Sequence, residues 1–269
     1  MFLGIETSSA VSSVAVSDGD RIIAEITVEA GFTHSEQLVP HIDTLLRYGK
    51  VAKDSIEGIA VAIGPGSFTG LRIGMGTAKA MAYAWQVPLI GVMTMDAIAQ
   101  NFVGIDGQVV VMIDAQKKNV YEGRYEWRDG MMQQIQAPTV KLRTDALKEL
   151  ATLNGPVWLC GDGILKRREE IEQYPTLHIA PPALRIPRAS SVLAAAEKRF
   201  AAKSYDDAMT LVPYYIRRSE AEVLWEAKHP KEATDTSRVE PAVVVTEVAG
   251  QEAVSPTTAK ATDTGEALS

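Results

Sequence analysis

Cysteine is nearly absent. The single Cys160 can close no internal disulfide and form no thiolate metal site, and its place at the end of the apolar run Val157 to Cys160 suits a buried core thiol. No stretch of eighteen or more apolar residues exists, so no helix is predicted to span a bilayer. The first residues include Glu6 and lack a basic, strongly apolar leader, which predicts a soluble cytoplasmic protein. Positive charge is also in deficit. A net charge of -7 disfavours a self-sufficient nucleic-acid binder, because neutralising phosphates takes a clustered Lys/Arg surface. Any involvement with RNA is therefore expected to be indirect, through a partner.

Several catalytic signatures are missing as well. No Gly-x-x-x-x-Gly-Lys-Ser/Thr string occurs, and Gly64-Pro65-Gly66 lacks the third glycine of a dinucleotide fold. Neither His-Glu-x-x-His nor His-x-x-x-His is present, so His34 and His41 gain no third ligand and no metal is expected. Without a Gly-x-Ser-x-Gly elbow, Ser67 has no support as a hydrolase nucleophile.

What is present is an ordered alternation of strands and helices across 269 residues, long enough for two lobes. Phe2 to Ile5, Val11 to Val16 and Ile22 to Val28 read as a three-strand meander. A helix follows from a capping-box pattern, Thr33-His34-Ser35-Glu36, with apolar positions Leu38, Ile42, Leu45 and Leu46 and an early bend at Pro40. Strand Ile59 to Ile63 leads into a glycine-rich turn and a helix from about Thr69 to Trp85, then strand Pro88 to Val92 and helix Thr94 to Phe102.

The same order restarts at Val109: strands Val109 to Ile113, Val120 to Trp127 and Met131 to Ile135, a helix near Asp145 to Leu150, strand Val157 to Cys160, and a helix after Gly163. Two ribonuclease-H-like lobes facing across a cleft, an α/β fold of the actin-like ATPase (ASKHA) type, would produce this repetition. The predicted division is 1–103 for a partner-binding first lobe and 104–227 for a second, the latter including a helix Ala189 to Lys203. Thr, Ala, Glu and Pro dominate 228–269, which reads as a disordered tail with one short apolar segment, Val243 to Val248.

Each half opens with a strand ending in a carboxylate, Glu6 or Asp114. With Thr7, Ser8, Gly161 and Asp162 these residues form a candidate vestigial nucleotide cleft; equally, the carboxylates could be strand-end turn residues. The helix after the glycine turn carries Gly70, Gly74, Ala78 and Ala82 at four-residue spacing and only two charges, Arg72 and Lys79. Such a helix is apolar nearly all round and is either a central core helix or one that covers the sheet on one face and meets a second protein on another.

Four segments taken together carry a family resemblance: Ile5-Glu6-Thr7-Ser8, His34 to Pro40, Gly64 to Gly74 and Pro213-Tyr214-Tyr215-Ile216-Arg217. Over roughly Met1 to Glu226 the chain closely resembles the bacterial TsaB family, formerly YeaZ. The resemblance implies a non-catalytic scaffold and dimerisation subunit of the machinery that attaches a threonylcarbamoyl group to the adenosine beside the anticodon of tRNA.

It implies pairing with the paralogous transferase TsaD, docking of the ATPase TsaE, and a homodimer when TsaD is absent. It also implies no cofactor held by this chain alone, ATP or ADP being weakly bound or shared at the interface. The implied partner contacts, assigned by helical phase, are Leu38, Ile42, Leu45, Leu71, Gly74, Ala78, Met81 and Ala82. Two rival readings are an ATP-dependent phosphotransferase of the same fold, which would need glycine-bearing phosphate hairpins that Glu6-Thr7-Ser8-Ser9 and Asp114-Ala115-Gln116-Lys117 lack, and a peptidase, for which no nucleophile, metal site or aspartic dyad is found.

Overall fold

A computed structural model describes residues 1–29, 34–165 and 167–215. The expected tail, 228–269, and the end of the second lobe from Ile216 lie outside the described residues, as does Thr33 of the capping pattern.

The meander forms as β1 (Phe2–Glu6), β2 (Val11–Asp18) and β3 (Arg21–Glu29), followed by α1 (His34–Gly49), β4 (Gly58–Gly64), α2 (Phe68–Trp85), β5 (Leu89–Met93) and α3 (Thr94–Gln100). Five strands make one sheet in the order β3-β2-β1-β4-β5. The second half supplies β6 (Gln108–Asp114), β7 (Asn119–Arg128), β8 (Met131–Leu142), α4 (Arg143–Leu150), β9 (Val157–Cys160), α5 (Arg168–Ile171), β10 (Leu177–Ile179) and α6 (Ala189–Ala201). Its sheet, β10-β9-β6-β7-β8, repeats the first in topology: the first three strands pair antiparallel and the others join in parallel. This duplication is the actin-like arrangement.

Alternation along β1 sorts the core. Leu3 and Ile5 point to one face of the first sheet, where Leu38, Ile42 and Leu45 of α1 and Met75, Ala78 and Ala82 of α2 bury against them. Gly4 and Glu6 point to the other face, which α6 covers so closely that a Cβ at Gly4 would lie 2.6 Å from the Ala189 carbonyl. α1 runs through Pro40 to Gly49 without interruption.

The lobes do not follow the simple division at residue 103. After the second sheet is complete, α6 crosses back and packs Val192, Leu193, Ala196 and Phe200 on Ala60, Ala62 and Ile90 of the first sheet. The chain then continues as a strap along β5: Asp206 N donates to Leu89 O at 2.9 Å, its carboxylate accepts from Gly91 N and Arg199, and Tyr214 N donates to Ile63 O at 2.7 Å. α3 is shared in the opposite sense, burying Met95, Ile98 and Phe102 in the second lobe's core. Tyr125 of β7 donates to Asp96 of α3 at 2.7 Å, and Asn101 donates to the carbonyls of Leu184 and Ile186. The first lobe is thus built from both ends of the described chain.

Candidate functional site

The glycines of Gly64 to Gly74 resolve into a packing device. Gly66, Gly70 and Gly74 lie against the turn that joins β1 to β2, and a Cβ on any of them would overlap Ser8 O, Thr7 O or Thr7 Oγ1 respectively. Ser67 caps α2 by accepting from Gly70 N at 3.3 Å, while Ser67 N donates to Ser8 O and Thr7 Oγ1 donates to Gly70 O at 2.8 Å. Ser67 therefore serves as a helix cap. The Gly64–Pro65 peptide bond is cis.

The turn beneath is Glu6-Thr7-Ser8-Ser9, and Glu6, Thr7 and Ser8 are fully buried. Ser8 N donates to Glu6 Oε1 at 2.5 Å, and His34 at the start of α1 bonds through Nε2 to Ser9 O at 2.8 Å. An actin-like ATPase would present backbone donors of such a turn to phosphate. Here Glu6 takes Ser8 N, His34 and Ser67 N take the carbonyls of Ser9 and Ser8, and the Thr7 hydroxyl is spent on Gly70 O.

The second-lobe candidates assemble separately. Asp114 N donates to Asp162 Oδ1 at 2.9 Å, Asp114 Oδ1 accepts from Gln116 N at 2.8 Å, and Gly161 N donates to Arg185 O at 2.9 Å. Desolvation foremost, with the like charge of Asp114 adding to it, raises the Asp162 carboxyl above its ordinary range against the backbone N–H groups that bond it. Asp114, Gly161 and Asp162 come together; Glu6 sits within the first lobe and, among the described residues, bonds only into its own turn.

Glu6 is the most perturbed carboxylate of the group. Burial lifts its pKa from 4.5 to about 7 against the lowering effect of the Ser8 bonds, and Oε2 has no partner among the described residues. The folded state thus keeps a proton that the unfolded chain has lost, so stability falls as pH rises from about 4.5 to 7 and stays low above that. Glu6→Gln, which retains an acceptor for Ser8 N, is expected to stabilise the protein at pH 8 by up to about 3 kcal/mol and by almost nothing at pH 4.5. Urea unfolding at the two pH values measures the difference. Cys160 is inert for a related reason: burial pushes its thiol up, and Sγ donates to Val110 O.

The outer surface of the two helices differs from the phase-based assignment. Leu38, Ile42, Leu45, Leu71, Gly74, Ala78 and Ala82 are all buried within the first lobe and Met81 is half-buried, so none of the seven faces outward. The sheet consumes the most apolar stripe of each helix, which is the stripe that periodicity detects. The outward face consists instead of Val39, Asp43, Arg47 and Tyr48 on α1 and of Arg72, Gly76, Ala80, Tyr83 and Ala84 on α2. Tyr48 and Tyr83 are 74% and 77% exposed, and the small residues Gly76, Ala80 and Ala84 recur every four residues along the exposed side of α2 that begins at Arg72. Small residues of low hydropathy gave this face no signal in the sequence.

Comparisons with known proteins give the chain's relatives. The sequence-family model described as TsaD, tRNA N6-adenosine threonylcarbamoyltransferase, matches residues 28–225. The tRNA threonylcarbamoyladenosine biosynthesis protein TsaB of Bacillus subtilis is 31% identical over 225 residues, covering 83% of this chain and 96% of its own. The protein of the same name from Haemophilus influenzae is 26% identical, with 83% and 95% covered. Among solved structures, YeaZ from Pseudomonas aeruginosa superposes with a TM-score of 0.66 at 26% identity, over 80% of this chain and 99% of that one.

Proposed function

Because the chain belongs to the TsaB (YeaZ) family of tRNA threonylcarbamoyladenosine biosynthesis proteins, we propose that it acts there as a non-catalytic subunit that pairs with TsaD through the outward faces of α1 and α2. The observation that carries this reading is the outer face of α2: a lone Arg at one end, the small residues Gly76, Ala80 and Ala84, and an exposed Tyr83, on a helix whose opposite face is already committed to the sheet. An uncharged row of that kind admits a second helix at close range. A second copy of the chain can offer the same face, which accounts for a homodimer when TsaD is absent.

The non-catalytic part of the reading is supported by what occupies the cleft. The first turn is filled by the chain's own helix, the second is headed by two aspartates, and the sole thiol is buried. The subunit would then act by favouring the competent arrangement of TsaD, a shift in population with no bond-making group of its own. Nucleotide and TsaE would engage the assembled pair, and tRNA would be reached through TsaD. Among the described residues no helix is long and apolar enough to cross a membrane.

Light scattering on a sizing column tests the pairing, with the protein alone, with TsaD, and with both mixed. A mixed species that replaces any self-associated form is the expected result; independent elution of the two, with and without ATP and TsaE, would refute the reading. In the reconstituted modification assay, Asp114→Asn is expected to keep activity within about twofold of the parent, since an exposed turn residue away from such features changes little. A loss of a hundredfold or more with pairing intact would restore an active cleft.

A further inference from the structure

Two of the sequence segments that carry the family resemblance, the glycine turn and Pro213-Tyr214-Tyr215, meet at a place that neither the packing of the first lobe nor the vestigial cleft uses. In the strap that follows α6, the Tyr215 ring stacks on Phe68 at 5.0 Å between centroids, and its hydroxyl meets Arg72, 143 residues away in the sequence. The Arg72 guanidinium lies 3.9 Å over the Phe68 ring centroid, and its Nε donates to Tyr215 Oη at 3.3 Å.

Among the described residues this arrangement holds the guanidinium on one face and leaves its terminal nitrogens without a partner. One ring face covers it and one of its five N–H groups is used; no acceptor among the described residues takes the four on the terminal nitrogens, and no carboxylate there pairs with it. α2 contains no acid at all, only Arg72 and Lys79. A solvent-facing arginine ordinarily forfeits rotamer freedom when it is captured, a cost that prior fixation removes. The free edge of the fork matches the two oxygens of a carboxylate.

Resting on the pairing reading above, we infer that Arg72 is the electrostatic anchor of the α2 docking face and takes an Asp or Glu side chain of TsaD in a two-point pair, with Tyr215 and Phe68 as the positioning residues that hold it. A protein carboxylate fits better than nucleic-acid phosphate. The surroundings are the small, uncharged Gly76 and Ala80, and α2 brings only two cations, whereas a phosphate backbone is bound by a field of them. The strap matters to the complex through this contact, since it delivers the Tyr215 hydroxyl to the partner-facing end of α2.

The test uses full-length protein and TsaD, with dissociation constants and dissociation rates measured at low and high salt. Arg72→Ala is expected to weaken pairing about 30- to 300-fold and Arg72→Lys by an intermediate factor, with unchanged thermal melting because the side chain is exposed. Tyr215→Phe keeps the stack and removes only the hydroxyl; it is expected to speed dissociation about three- to tenfold, and to have no further effect in the Arg72→Ala background. Arg72→Glu should be rescued by one Asp or Glu to Arg exchange on TsaD.

Pairing by Arg72→Ala within twofold of the parent, while Ala80→Glu abolishes it, would overturn the anchor and leave the pairing reading standing. If neither substitution weakened pairing, both would fall. Intact pairing with weakened tRNA binding would overturn the carboxylate in favour of a phosphate, and a defect confined to self-association would overturn it in favour of a second copy.

Discussion

Replacing Gly74 by leucine is expected to unfold the first lobe rather than to dissect the interface. The helical phase of the sequence places Gly74 among the partner contacts, which predicts lost pairing by a folded monomer. In the structure the missing side chain is the space occupied by Thr7, whose Oγ1 a Cβ would overlap and whose hydroxyl holds Gly70 O. A leucine there must lift the start of α2 from the β1–β2 turn, breaking that bond and disturbing the buried Glu6–Ser8 pair with it. Overpacking at a site that cannot give way costs at least about 3 kcal/mol against a total stability of about 5–15 kcal/mol. Differential scanning calorimetry should show a fall of roughly 10 °C in Tm, or no folded fraction. Native-like melting with lost pairing would return Gly74 to the interface.

Ala80→Glu is expected to separate pairing from folding. Ala80 is exposed and sits one turn beyond Gly76 on the outward face of α2, so a longer polar side chain meets nothing in the monomer and the melting temperature should stay within about 2 °C. In the pair the carboxylate would be shut into a helix–helix contact without a cation to meet it. Leaving a charge buried and unpaired costs about 3–5 kcal/mol, enough to weaken association by a factor of several hundred or more and to take tRNA modification with it. Sizing with light scattering and the modification assay report the two effects independently. Modification at the parental rate would remove α2 from the docking surface.

The contrast between these two positions shows how far the sequence reaches. Strand and helix order, the restart at Val109 and the duplicated lobes were all legible because alternation and four-residue periodicity record which side chains are buried. The same record drew the helical-phase assignment to Leu38, Ile42 and Leu45, which are conspicuous because their own sheet buries them, whereas the exposed positions Gly76, Ala80 and Ala84 of α2 carry no hydropathy pattern.

Long-range placement was equally hidden. Nothing local to Ala189–Ala201 says that the helix returns to the first sheet, or that Tyr215 ends beside Phe68, because those contacts join segments more than a hundred residues apart. β10, three residues long, has no periodicity to display, and β8 runs past Ile135 through Pro138 to Leu142 as an edge strand, where a missing N–H is tolerated. Of the candidate cleft, Asp114 and Asp162 do meet, Asp114 N bonding Asp162 Oδ1, whereas Glu6 is buried in the first lobe and bonds Ser8 N of its own turn.

The return of α6 also sets a timetable for the nascent chain. As translation proceeds, the first five strands emerge early, yet the side of their sheet with Gly4, Ala60, Ala62 and Ile90 is covered only in part, by Ala97 of α3, until α6 leaves the ribosome. At ~5–20 residues per second the whole of the second sheet intervenes, a delay of ~10 s during which an apolar surface stays open to water and to chaperones. The second sheet can fold ahead of the first, reversing the order in which the two are encoded.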